Sequence, residues 1–151
     1  LIINHHPSKY GGSEESEGKT EAAMQALKFL CDSLGSGNGA PVIAMGDLND
    51  NPEASTFTVI EVTLSNKGRR LHEEGEGTIR YEGKWDLIDM FLVSQTAETC
   101  TEMEICRIPF LMTWEKKHPG YKPLRTYSGP KYMGGASDHL PIILWYFGGN
   151  S

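Results

Sequence analysis

Apolar residues arrive in short runs separated by polar stretches, a rhythm that alternates several strands with one strong helix. The opening Leu1-Ile2-Ile3-Asn4 reads as a strand and 6–17 as a polar loop. Over 18–34, Ala23, Leu27, Leu30 and Leu34 recur at helical spacing, which predicts a helix with that face inward. The run Gly35-Ser36-Gly37-Asn38-Gly39 tolerates left-handed backbone and ends it. Val42-Ile43-Ala44-Met45 is the next strand. Asn51-Pro52-Glu53 combines a cap, a first-turn proline and a first-turn acid, so a second helix is expected over 52–64. The β-branched residues of that stretch argue for a strand instead.

Farther along, 65–76 is charged and reads as a surface loop. Strands over 78–81 and 85–94 flank Glu82-Gly83-Lys84, the signature of a hairpin turn. Another strand is expected over 103–108, and one over 142–147 closes the chain. Residues 110–135, rich in Pro, Gly, Tyr and Lys, are too long for a passive connection. The 151 residues suit one domain with a core, and no internal repeat or linker interrupts them.

Charge and cysteine content narrow the picture. The formal net charge is −6, from 20 acids against 14 bases. Scattered basic residues count against a broad DNA-binding face and leave small phosphate esters open. The three cysteines, Cys31, Cys100 and Cys106, lack metal spacing. Cys31 is expected buried on the helix, and a Cys100–Cys106 pair is disfavoured. No apolar run is long enough to span a membrane. The chain opens inside a strand, which suggests a fragment whose targeting is not visible and whose localisation stays unknown.

Chemistry concentrates at strand ends. Asp47 and Asn49, in Gly46-Asp47-Leu48-Asn49, stand two apart and point to the same side of an extended segment. A carboxylate there can orient or deprotonate water. The amide can hold a phosphoryl oxygen that a second carboxylate would repel. Asn51 takes the local cap, leaving both free. In Ser137-Asp138-His139 adjacent side chains diverge, so Asp138 suits a metal and His139 a phosphate or water. Asp89 lies inside Leu87-Ile88-Asp89-Met90-Phe91-Leu92-Val93 and is costly to bury unless paired, which makes it the candidate acceptor for His139. Trp85 and Trp145 sit in strand patterns and are expected in the core. Trp114, Tyr121, Tyr127 and Tyr132, with Arg125 and Lys131, mark 110–135 as a substrate-selecting segment. Ser13 to Thr20 resembles a phosphate-binding loop, but its three glutamates would repel polyphosphate.

Four segments in order, Ile3-Asn4-His5, Gly46-Asp47-Leu48-Asn49, Leu87 to Ser94 and Ser137-Asp138-His139-Leu140-Pro141, resemble the second half of the endonuclease/exonuclease/phosphatase superfamily. The resemblance covers nearly the whole chain, so 1–151 reads as the C-terminal portion of such a domain. It implies an α+β fold, part of a four-layer αββα sandwich, with this chain supplying mainly one sheet and its helices. It also implies a metal-dependent hydrolase of phosphate esters, nucleic acid or small, using Mg2+ or Mn2+. His5 and Asn49 would contact phosphate oxygens, Asp47 the water, and Asp138 with Asp47 the metal, while Asp89 orients His139. Arg125 and Lys131 would bind substrate. The family's first half carries a metal-binding Glu in a Gln-Glu pair that this chain lacks. The isolated chain is therefore expected to be inactive or weakly active, and to need the missing N-terminal half or self-association to cover its sheet. The alternative is a catalytically silent phosphate-binding or interaction module that keeps the fold.

Overall fold

The computed structural model describes residues 1–8 and 13–148, with the backbone alone described at 13–17 and 36–38. The strands are β1 (Ile2–His5), β2 (Ile43–Asp47), β3 (Leu64–Asn66), β4 (Ile79–Tyr81), β5 (Lys84–Asp86) and β6 (Asp89–Ser94). They continue as β7 (Thr101–Ile105), β8 (Met112–Glu115), β9 (Gly120–Pro123), β10 (Tyr127–Ser128), β11 (Lys131–Tyr132) and β12 (Ile142–Tyr146). The helices are α1 (Ser13–Asn38) and the short α2 (Arg69–Glu73).

The principal sheet has the order β1-β2-β6-β3, with β1 parallel to β2 and the other pairs antiparallel. A parallel neighbour requires a crossover, and α1 supplies it. Register places Ile3, Met45 and Phe91 in one row, and His5, Asp47 and Asp89 in the next, on a single face. The opposite face carries Val42, Ala44 and Leu92 and is the one α1 covers. A Cβ on Gly35 of α1 would stand 3.7 Å from Val42 Cγ2. Leu92, Ala44, Met24, Leu27, Phe57 and Ile60 are all buried in the resulting core.

The β7–β12 ribbon packs its inward residues, Met103, Ile105, Ile142 and Leu144, into the same core. Phe91 and Val93, whose side chains share the face that bears Asp89, are buried. Ile3, on the same face at the β1 edge, is 75 % exposed. Among the described residues no helix is long and apolar enough to cross a membrane.

Several expectations are corrected. The helix begins at Ser13, inside the stretch read as a loop, so the sequence resembling a phosphate-binding loop is helical. Its buried stripe is Thr20, Met24, Leu27 and Cys31, while Leu30 and Leu34 are largely exposed. Both stripes have helical spacing, and the sheet selects between them. Residues 52–64 form turns around a 3-10 segment, Ser55–Val59, rather than an α-helix. Six β-branched residues oppose a regular helix there, and burial of Phe57 and Ile60 fixes the compact alternative. Residues 65–76 contain the end of β3 and α2.

The strand expected over 85–94 breaks at Leu87-Ile88, so β5 and β6 lie in different sheets. Asp89 is accordingly the first residue of β6, not its middle. The β4–β5 turn is as expected, with Glu82 and Gly83 at φ 46° and 85°. Residues 110–135 are two antiparallel pairs, β8–β9 and β10–β11. Trp145 is half exposed and donates Nε1–H to Glu104 Oε2 at 2.8 Å, so it is not a core residue within the chain. Cys31 is buried, and all three cysteines are free.

Candidate active site

The register of three strands builds the site. His5 ends β1, Asp47 ends β2 and Asp89 begins β6, each opposite the next. Direct cross-strand neighbours point to the same side, so the three side chains converge without help from any loop. Gly46 makes the close approach of β1 and β2 feasible. Its φ is 138°, and a Cβ there would lie 1.9 Å from the carbonyl oxygen of Asn4. Only glycine fits, which gives the first residue of Gly46-Asp47-Leu48-Asn49 a structural reason.

His5 Nε2 lies 3.5 Å from Asp47 Oδ2. Asp47 Oδ1 accepts the backbone N–H of Asn49 at 2.9 Å, and Asn49 sits in left-handed conformation at φ 51°. The Asn49 side chain donates Nδ2–H to the carbonyl of His6 at 2.8 Å. Asp47 and Asn49 are thus partly engaged in holding the turn, a departure from the expectation that both are free. Asn51 does take its local role, its Oδ1 accepting the Glu53 N–H at 3.1 Å. Buried Asp50 braces the same turn by accepting from the Asn51 N–H and the Thr56 hydroxyl.

His139 arrives from the loop before β12. Its Nδ1 lies 2.8 Å from Asp89 Oδ2, and its backbone N–H is donated to Ser137 Oγ at 3.1 Å. The Thr78 hydroxyl also donates to Asp89 Oδ2. Thr78 is fully buried, and its carbonyl accepts the Leu140 N–H at 2.8 Å, so it fixes both the acid and the loop bearing the imidazole. Sequence reading did not single out Thr78. A lone threonine at a strand start carries no signal of its contact until the strands are paired.

One acceptor atom each from Asp47, Asp89 and His139 lies within 4.8 Å of the others. A cleft of about 280 Å³ opens beside them, lined by Met45, Gly46, Asp89, Ser137 and His139. The hydrogen bond to Asp89 raises the His139 pKa above its ordinary value, against the opposing effect of burial. The negative charges of Asp89, Asp47 and Asp138 add to the rise. Burial raises the Asp47 pKa, opposed by the Asn49 hydrogen bond, with the charge of Asp89 reinforcing the rise. The site therefore favours a protonated imidazole beside carboxylates.

Asp138 stands outside this cluster. Its half-exposed carboxylate pairs with Arg125 Nη2 at 3.3 Å, which places Arg125 at the rim. Lys131 is exposed on β11, and among the described residues no hydrogen bond joins it to the cluster.

His6, beside the catalytic candidate His5, turns the other way into the protein. It is 4 % exposed, and among the described residues neither ring nitrogen has a hydrogen-bond partner.

Comparison with solved structures finds the same fold at low identity. Sphingomyelinase C from Streptomyces griseocarneus matches with a TM-score of 0.59 and 14% identity, covering 95% of this chain and 51% of that one. A beta toxin mutant from Staphylococcus aureus with bound magnesium ions gives 0.57 and 16%, covering 95% and 51%. The mannosyl-6-phosphatase Bt3783 of Bacteroides thetaiotaomicron gives 0.55 and 15%, covering 95% and 49%. The chain thus spans about half the length of these proteins, and its α+β architecture is part of their deoxyribonuclease-like sandwich. Comparison with curated proteins returns no match. The description "Endonuclease/Exonuclease/phosphatase family" matches residues 1–147, and the chain belongs to that family.

Proposed function

We propose that this chain supplies the C-terminal half of a divalent-metal-dependent phosphoesterase and most of its proton-handling residues. The observation that carries the reading is the single row of His5, Asp47 and Asp89, completed by His139 at 2.8 Å from Asp89. In this reading Asp47 orients the attacking water and draws its proton. Asn49 and His5 contact phosphoryl oxygens. His139, held in orientation by Asp89 and with its charged form favoured by that carboxylate, donates a proton or stabilises developing negative charge. Asp89 acts through His139, and Thr78 acts through Asp89.

The donor set suits a small hard cation. Asp47 offers a carboxylate within the cluster, and Asp138 would join it on leaving Arg125, which matches the oxygen preference of Mg2+ or Mn2+. When bound, such an ion neutralises phosphate charge and polarises the ester. Two carboxylates are few for an octahedral ion, so the remaining ligands would come from the half of the sandwich outside this chain. Exposed Ile3 on the β1 edge and Trp145 on β12 support a covering partner there, the missing half or a second copy.

The test is a panel of divalent metals on the full-length protein with plasmid DNA, abasic DNA, small phosphodiesters and phosphomonoesters. Metal-dependent cleavage of any of these upholds the reading. If none is cleaved with any metal, the chain is instead a silent phosphate-binding or interaction module.

A further inference from the structure

We propose that Arg107 is a positioning residue for the Asp89–His139 pair, acting through the carbonyl of Gly77 and the backbone of Thr78. Its effect on turnover rests on the phosphoesterase reading above; the positioning does not. Arg107 lies in none of the four segments that mark the site. Three stretches distant in sequence, 76–78, 105–107 and 139–141, are tied into a closed ring. The Leu140 N–H is donated to the Thr78 carbonyl at 2.8 Å and the Cys106 N–H to the Pro141 carbonyl at 2.8 Å. Arg107 Nη2–H is donated to the Gly77 carbonyl at 3.2 Å. The first two are backbone bonds that any residue except proline can make. The third is made by a side chain, so it is the one that substitution can open.

The contact reaches the pair within one residue. Gly77 lies so close to β5 that a Cβ there would stand 2.5 Å from the Asp86 nitrogen. Only glycine fits, and its carbonyl is the group that Arg107 takes. Next along the chain, the Thr78 N–H is donated to the Asp86 carbonyl at 2.9 Å and its hydroxyl to Asp89 Oδ2. Thr78, Leu140 and Ile105 are buried, so these bonds lie where water competes little and each is strengthened. A shift of Gly77 is therefore passed to the carboxylate that orients His139.

The guanidinium is itself held in place. Its Cζ sits 4.1 Å from the centroid of the Trp85 ring, a cation–π contact, and Trp85 packs against the core. Nη2 also pairs with Glu76 Oε2. The Arg107 side chain is 30 % exposed, so that ion pair alone adds little. The indole beneath it fixes the orientation. A planar guanidinium stacks by its face and donates from its edge at the same time, which an ammonium cannot do.

Arg107 stands apart from the cleft beside His139. It lines a separate cleft of about 590 Å³ with Arg70, Glu104 and Trp145, whereas Met45, Gly46 and Ser137 line the one at the catalytic cluster. Its loss should therefore be felt in kcat and not in KM.

The test reads the orientation of His139 directly. Full-length protein with 15N-labelled histidine is held in EDTA, below its melting transition, at a pH where the ring is neutral. The ring nitrogen shifts then report the tautomer, which the hydrogen bond to Asp89 sets as Nδ1–H. Asp89→Ala supplies the signal of an unheld ring. Arg107→Ala is expected to move the native signal toward that reference. It should also lower kcat about tenfold while changing KM less than about twofold. Arg107→Lys keeps the charge without the stacked fork, so it should follow Arg107→Ala, and it carries the test if the alanine variant does not fold. Glu76→Gln should leave both readings at the native values. A native ring without the Nδ1–H tautomer, or Arg107 variants that keep it, overturns the proposal, as does a loss of activity confined to KM. If the native protein hydrolyses no phosphoester, the phosphoesterase reading fails while the tautomer still decides whether Arg107 positions the pair.

Discussion

Asp89 and His139, fifty residues apart in sequence, meet through Oδ2 and Nδ1 at 2.8 Å, and Thr78 holds the same carboxylate oxygen. The imidazole thus has one nitrogen fixed and the other available to the cleft, the arrangement a proton-transferring histidine needs.

On the proposed phosphoesterase reading, Asp89→Asn is expected to lower turnover of the full-length protein by about 10²–10⁴ while moving stability far less, because the histidine loses charge support and orientation. The pH dependence follows from sign. The His139 pKa is raised in the folded protein, so the pair's contribution to stability is full below the ordinary value of 6.5 and is lost as pH rises through the folded value. Thermal melts across that range should show the loss in the native protein and not in Asp89→Asn.

Thr78→Val removes the hydroxyl that orients Asp89 at nearly constant volume. Activity should fall by roughly tenfold, the equivalent of about one hydrogen bond, and Thr78→Ser should restore it. A Val variant with unchanged kcat and pH profile would show that Asp89 needs no second anchor.

Gly46→Ala places a methyl group 1.9 Å from the Asn4 carbonyl oxygen at a φ of 138°. The β1–β2 pairing must then open. We expect destabilisation of about 3 kcal/mol or more by denaturant titration, together with loss of the His5–Asp47 approach.

His6→Phe should stabilise the protein, since a buried ring whose two nitrogens have no partner among the described residues gives way to an apolar one of similar shape. Burial lowers the His6 pKa, helped by the charge of His5 and opposed by Asp50. Its neutral form is the folded form, so stability is lost as pH falls from 6.5 toward the depressed folded value. The Phe variant should be less acid-sensitive in that window; equal acid sensitivity would place the weakness elsewhere.

What the sequence determined by itself is local. The apolar runs mark β1, β2 and β12, Glu82-Gly83 dictates the β4–β5 turn, and the carboxylates and histidines sit at strand ends where a rigid sheet presents them. Burial cost and the family resemblance together pointed from Asp89 to His139. Tertiary structure decided everything that depends on pairing between distant segments. Two helical stripes compete on α1, and only contact with the sheet chose Thr20-Met24-Leu27-Cys31 over Leu30 and Leu34. The break at Leu87-Ile88 is silent in a continuous apolar run, yet it starts β6 at Asp89 and brings that residue opposite Asp47. The register joining His5, Asp47 and Asp89 is a long-range property, because shifting any strand by one residue would turn its side chain to the other face.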